Sequence, residues 1–164
     1  MAVTIKRDGY GQVEPNHLSA PRNGQVYASL PAKEDIDILE QGTYVKYDYP
    51  KGVVDFEGDG PWMLVFNEEK LYDERHQMHK DFALKREDTY DNKLTPRVFA
   101  VVPGDIYTTN MVAEAEYSAG DKLKVGAEGI LEKGAAAAGE HSFVVAEETT
   151  MPDGQPAVKI QVIA

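Results

Sequence analysis

The stretch Asp121-Lys122-Leu123-Lys124-Val125-Gly126-Ala127-Glu128-Gly129-Ile130-Leu131-Glu132-Lys133 decides the fold class. Leu123 and Val125 alternate with Lys122 and Lys124, the period of two that puts successive side chains on opposite faces of a strand. Gly126-Ala127-Glu128-Gly129 then offers glycine where a tight turn can demand positive φ, and Ile130-Leu131-Glu132-Lys133 returns. This is a β-hairpin with one face to bury. A second hairpin follows, Ser142 to Ala146 and Ala157 to Ile163 flanking Met151-Pro152-Asp153-Gly154, whose Pro-Asp-Gly is a strong turn signal.

Upstream, short runs of β-branched, aromatic and aliphatic residues bounded by Gly or Pro extend the pattern: Gln25 to Leu30, Thr43 to Tyr49, Gly52 to Phe56, Trp62 to Phe66 and Arg97 to Val102. Within Tyr44 to Tyr49 the aromatic residues are expected on one face of a half-buried strand. The exception is Asn67 to Asp91. Asn67 can cap a helix with Glu68 and Glu69 in its first turn and Arg75, Lys80, Lys85 and Arg86 later, matching the helix dipole, with Leu71, Met78 and Phe82 as its apolar stripe. The same segment also reads as a charged loop draped over the core. Gly134 to Gly139 is a small-residue connector between the hairpins. The expected fold is mainly β: a small β-barrel or sandwich-like domain with an extended N-terminal arm and one charged helical or loop insertion at 67–91.

The arm is inferred from charge and composition. Residues 1–33 hold four basic residues against two acidic ones, whereas the remaining 131 hold 13 against 26, within a chain of net charge −11. Gly9, Gly11, Pro15, Pro21 and Gly24 interrupt the segment, and its apolar residues look too scattered for a core strand. We therefore divide the chain into an arm, 1–33, and a β-rich domain, 34–164, and expect the domain to fold without residues 1–24.

Composition removes several function classes. There is no cysteine, which excludes disulfides, thiolate nucleophiles and Cys-ligated zinc. No apolar run approaches the ~20 residues of a membrane-spanning helix, and Met1 to Tyr10 lacks the apolar stretch of a signal peptide, so manufacture in a cytoplasm is expected. An acidic chain repels phosphate backbones, which argues against nucleic acid as a partner.

Fragments that imitate catalytic or ligand motifs each fail at a specific residue. Gly134 to Gly139 has the spacing of a phosphate loop, but Glu140 and His141 stand where Lys and Ser or Thr are needed. Asp55-Phe56-Glu57-Gly58-Asp59-Gly60 resembles half of a calcium loop, yet its twelfth position is Phe66 and not a bidentate Glu, so it reads as an acidic surface turn. His76 and His79, with Asp73 or Glu69 nearby, are the best metal ligands in the chain, but they lack the built-in base of His-Glu-x-x-His. His17 and His141 are isolated, none of Ser19, Ser29, Ser118 and Ser142 sits in a G-x-S-x-G elbow, and acidic pairs such as Glu147 and Glu148 fit a solubilising surface. Trp62 reads as a core or edge anchor. The chain is expected to be no enzyme and to take no cofactor and no metal.

Gly104-Asp105-Ile106-Tyr107-Thr108-Thr109-Asn110, then Ala119-Gly120-Asp121-Lys122-Leu123-Lys124-Val125, then Gly129-Ile130-Leu131 resemble the small head proteins of tailed bacteriophages, the decoration or cement proteins. The shared features are a Gly-Asp strand start and a hairpin of the form Val-x-x-x-Gly-x-Leu. The likeness covers residues 97–164 by motif and 1–33 by character. It implies a structural virion protein on the capsid exterior that stabilises the shell by bridging major capsid protein subunits, as a homo-oligomer (trimer or dimer). It also implies that the arm fastens the protein to the capsid, with Lys6, Arg7, Tyr10, Pro15, His17, Pro21, Arg22 and Tyr27 as interface residues. A bridge of this kind needs a rigid core, an arm that orders on docking, and no catalysis. The alternative is a β-rich host-surface or carbohydrate-binding module displayed on a particle, which needs an exposed aromatic patch. A third class is a small metal-dependent enzyme using His76 and His79.

Overall fold

The computed structural model describes residues 2–20, 27–67 and 83–164. These residues form fifteen strands: β1 (Val3–Ile5), β2 (Val13–His17), β3 (Tyr27–Ala28), β4 (Ile38–Glu40), β5 (Tyr44–Asp48), β6 (Val53–Asp55), β7 (Trp62–Val65), β8 (Ala83–Lys85), β9 (Val98–Phe99), β10 (Ile106–Thr109), β11 (Ala115–Tyr117), β12 (Lys122–Val125), β13 (Leu131–Lys133), β14 (Phe143–Thr150) and β15 (Pro156–Val162). They assemble into a six-stranded sheet of order β13-β12-β14-β15-β10-β2, a five-stranded sheet of order β3-β9-β7-β5-β6, and the two-stranded pairs β1-β11 and β4-β8. Every paired strand is antiparallel. The protein is mainly β, and none of the sheets closes into a barrel, which removes the barrel form of the expected fold.

Side-chain alternation explains how the two large sheets pack. Along β7, Trp62 and Leu64 enter one hydrophobic cluster while Met63 and Val65 enter another. The first cluster lies against the six-stranded sheet and includes Tyr107, Leu123, Leu131, Phe143, Val145 and Ile160. The second is walled by Ala32, Ile36, Leu39, Leu94 and Val98. The five-stranded sheet is therefore covered on both faces. The six-stranded sheet buries one face and turns Lys122, Lys124, Lys159 and Gln161 outward, the division expected of an antiparallel sheet with one solvated side. The same parity corrects the reading of Tyr44 to Tyr49. Tyr44 is sealed in the first cluster, whereas Tyr47 packs on the second and Tyr49 is exposed; even and odd positions of one strand cannot share a face.

Between the sheets the Tyr44 and Tyr107 hydroxyls bond to each other at 2.8 Å, and the Tyr44 ring meets Phe143 edge-on at 5.4 Å. Burial holds both phenols above their ordinary pKa, and burial together with Glu132 and Asp121 pushes Tyr117 up to about 12. The folded state thus retains protons that the unfolded chain releases near pH 10, so this stability is complete below pH 10 and drains away as pH climbs toward the folded-state values. Melting temperature should fall steeply above pH 10, with the late-ionising tyrosines titrating together with loss of the circular dichroism signal. Complete phenol ionisation near pH 10 in a still-folded protein would contradict the buried pair.

The N-terminal segment departs most from expectation. It is extended, but it is woven into the fold. β1 pairs with β11, β2 forms an edge of the six-stranded sheet beside β10, and Ile5, Val13, Leu18 and Ala20 are buried. Polar side chains tie the segment down. Gln12 donates its backbone N–H to Asn110 Oδ1 at 2.8 Å and its amide Nε2 to Asp153 Oδ2 at 2.9 Å, while Gln155 Nε2 donates to the same Asp153 oxygen at 2.6 Å. Ser19 donates from both backbone N–H and Oγ to Asp105 Oδ1, at 3.1 and 2.7 Å. Apolar residues scattered in sequence are brought into register here by β10 and β11, so a domain cut free of this segment would lose core and hydrogen-bond partners.

The expected helix from Asn67 lies mostly outside the described residues, as do Asp73, His76 and His79. Its C-terminal part is not helical in the expected sense: Ala83–Lys85 is strand β8 on β4, followed by a 3-10 turn at Arg86–Asp88.

Candidate functional site

The β12–β13 hairpin turn is seated on the five-stranded sheet. Ala127–Gly129 makes a single 3-10 turn with Glu128 in the left-handed region at φ 61°. Gly129 has φ 76°, and a Cβ there would stand 2.0 Å from the Tyr44 carbonyl oxygen, so only glycine permits this approach. The turn becomes a ridge, and three clefts lie around it.

The first cleft, about 380 Å³, runs between the N-terminal segment and the turn, with Ile5, Lys6 and Arg7 facing Glu114, Ile130 and Glu132. Arg7 reaches on to ion-pair with Glu40, which also accepts the backbone N–H of Gly11 at 3.0 Å. The second, about 240 Å³, is lined by apolar Ile36, Ile38, Leu39 and Met111 beneath Asp37 and Glu128. The third, about 400 Å³, adds Lys33, Asp55 and Glu57 and shares Asp35, Ile36, Phe56 and Glu128 with the second. Lys33 lies 3.6 Å from Asp35, and Arg86 lies 3.5 Å from Asp37. Among the described residues Glu57 and Glu128 are exposed and have no cationic partner. The joined second and third clefts therefore present an aliphatic floor under a negative rim.

Those of the eight residues expected at an interface that the structure describes lie on several elements. Lys6 and Arg7 line the first cleft. Tyr10 lines a further cleft with Lys85 and Arg86 that shares Asp37 and Ile38 with the second, the Lys85 ammonium sitting 4.8 Å from the Tyr10 ring centre. Pro15 and His17 are exposed on edge strand β2. Tyr27 belongs to β3, and Pro21 and Arg22 lie outside the described residues. Sequence reading gave no binding role to Asp35, Ile38, Glu57 or Glu128; the acidic excess after residue 33 was the only signal for the three carboxylates, and Ile38 had none.

The motif-like fragments have structural work. Asp55 is buried, its carboxylate accepting the Glu57 backbone N–H at 3.0 Å, and Gly60 N–H bonds to the Tyr47 carbonyl at 3.0 Å, so the calcium-like segment is a turn tied to β5. Glu140 pairs with Lys46 at 3.4 Å, and Lys46 lies 4.5 Å from the Trp62 ring centre. Trp62 is buried. His141 Nδ1 is 3.0 Å from the Ala164 carbonyl oxygen. Among the described residues no three His, Asp or Glu side chains are grouped as a metal site, and no helix is long and apolar enough to cross a membrane. Comparison with protein-family models, with curated proteins and with solved structures finds no match to this chain.

Proposed function

We propose that this is a virion structural protein of a tailed bacteriophage, a decoration protein that binds the capsid exterior and stabilises the shell by bridging major capsid protein subunits. The observation that carries the reading is the placement of the three segments resembling decoration proteins. Gly104 to Asn110 contains β10, Ala119 to Val125 contains β12, and Gly129 to Leu131 leads into β13; all three strands belong to the six-stranded sheet, and Tyr107, Leu123 and Leu131 meet in one cluster. The likeness thus follows a single packed unit. A body cross-tied from its N-terminal segment to its last hairpin also suits a bridge that must transmit load, because packed interiors transmit strain.

In this reading the protein is not an enzyme, and the capsid subunit is its partner, with self-association into a trimer or dimer. The test is co-sedimentation with purified heads of the parent phage stripped of this protein. Saturable pelleting and a higher temperature of head disruption are expected. Heads that neither retain the protein nor gain resistance would overturn the proposal.

One observation favours a second reading, a carbohydrate-binding module. Tyr47 and Tyr49 stand with ring centres 5.5 Å apart at the end of β5, and Tyr49 is 63% exposed, an arrangement able to stack on a sugar face. A glycan array with wild type and Tyr49→Ala separates the two readings: a glycan signal lost in the variant would favour it, and no signal would dismiss it.

A further inference from the structure

We propose that the joined clefts beside the β12–β13 turn receive an extended segment of the partner that alternates Lys or Arg with aliphatic residues. Who that partner is rests on the capsid-docking reading; the chemistry of the segment rests on the groove. Its floor is apolar, with Ile36 and Met111 at the base and Ile38 left 43% exposed at the rim. Its walls carry Asp35, Asp37, Glu57 and Glu128, all exposed; Asp35 and Asp37 pair with Lys33 and Arg86, and among the described residues the last two have no cation to neutralise them. The volumes of about 240 and 400 Å³ suit a few side chains in a row and not a folded domain.

Charge complementarity selects the occupant. A segment with acidic residues is repelled by the rim, and a polar uncharged one leaves Ile38 uncovered. A strand-like peptide, with side chains alternating in direction, can lay aliphatic groups on the floor while its cations meet the carboxylates. None of Glu14 to His17 lines the groove, and on the β2 edge Pro15 lacks an N–H that addition of another strand could use. Docking at this groove therefore reads side chains more than backbone.

The test uses the whole protein and a fluorescein-labelled octapeptide of alternating Lys and Leu, in 0.15 M NaCl, where charges further apart than about 8 Å are screened. Saturable binding is expected. Glu57→Gln/Glu128→Gln should weaken it about fivefold, as expected for two partly exposed ion pairs, and Ile38→Ser should weaken it further, an effect that diffuse charge attraction cannot produce. The control Glu116→Gln/Glu147→Gln, on β11 and β14, should leave it unchanged. Equal affinity in all variants, or equal loss in groove and control variants, would overturn the assignment. Sedimentation with heads separates the two proposals. If groove variants pellet as well as wild type, the groove assignment fails and the capsid reading survives; if the peptide results hold but no protein pellets with heads, the reverse is true.

Discussion

A chain lacking residues 1–20 should not reach a stable fold. The segment delivers Ile5, Val13 and Leu18 to the interior at 1%, 8% and 5% exposure, and burial of each such side chain is worth about 1.5–3 kcal/mol. Domains of this size hold a total of about 5–15 kcal/mol. Truncation would also strip β10 of one hydrogen-bonded neighbour and β11 of its partner. It would leave Asn110 Oδ1 and Asp105 Oδ1, on buried polar residues, without the hydrogen bonds they accept from Gln12 and Ser19, and unsatisfied buried groups cost about 1–3 kcal/mol each. Circular dichroism melts of the truncated chain should show a lost or strongly broadened transition. Ile5→Ala supplies the graded version, with an expected loss of about 2–5 kcal/mol in urea unfolding. A truncated protein that melts like the full chain would mean that the segment only rests on the surface, and an unperturbed Ile5→Ala would locate the same error at one residue.

The contrast between what could and could not be read from the sequence follows from where the information resides. Strands β12 to β15 are announced locally. Leu123 and Val125 alternate with lysines, and Gly126 to Gly129 and Pro152-Asp153-Gly154 mark their turns; the last closes with Gly154 N–H on the Met151 carbonyl at 2.8 Å. Strands β5, β6, β7 and β9 likewise lie inside runs of β-forming residues. By contrast β1, β2, β4, β8 and β11 lie in no such run and have no marked turn beside them, and their three to five residues are too few for a period to emerge unaided. Strand β2 even contains Pro15, tolerable only because it is an edge. What makes these segments strands is a partner far away in the chain: Val3 opposite Tyr117, Val13 opposite Thr109, Leu39 opposite Leu84. Long-range pairing leaves no local mark. The groove was illegible for the same reason, since Ile38, Glu57 and Glu128 become neighbours only when the hairpin turn settles on Tyr44.

Leu123→Asp should cost several kcal/mol or unfold the domain, while Lys124→Asp, one residue along, should be tolerated. Leu123 is fully buried in the cluster that joins the two large sheets, and β12 is flanked by β13 and β14 on both sides. A carboxylate there would lie in a cluster of aliphatic and aromatic side chains, with only its cross-strand partner Lys133, 47% exposed and already paired with Asp121, opposite it, so the domain must either bury a poorly compensated charge or protonate it. The second route makes a distinctive mark. The variant's deficit should shrink as pH falls through the carboxylate range, because protonation removes the charge but not the lost packing. Lys124 points to the other face and only meets Glu132 at 3.6 Å, both side chains being partly exposed. Reversing its charge places like charges side by side on a solvated surface, an effect of at most about 1 kcal/mol. The neighbouring inward residue Val125, 8% exposed, should behave like Leu123 with a smaller penalty. Thermal melts of Leu123→Asp, Lys124→Asp and Val125→Asp at pH 7 and pH 4 therefore test strand register directly. Equal destabilisation at all three positions would mean that β12 does not alternate between core and solvent, and the packing of the six-stranded sheet against Tyr44 and Trp62 would have to be rebuilt from a different register.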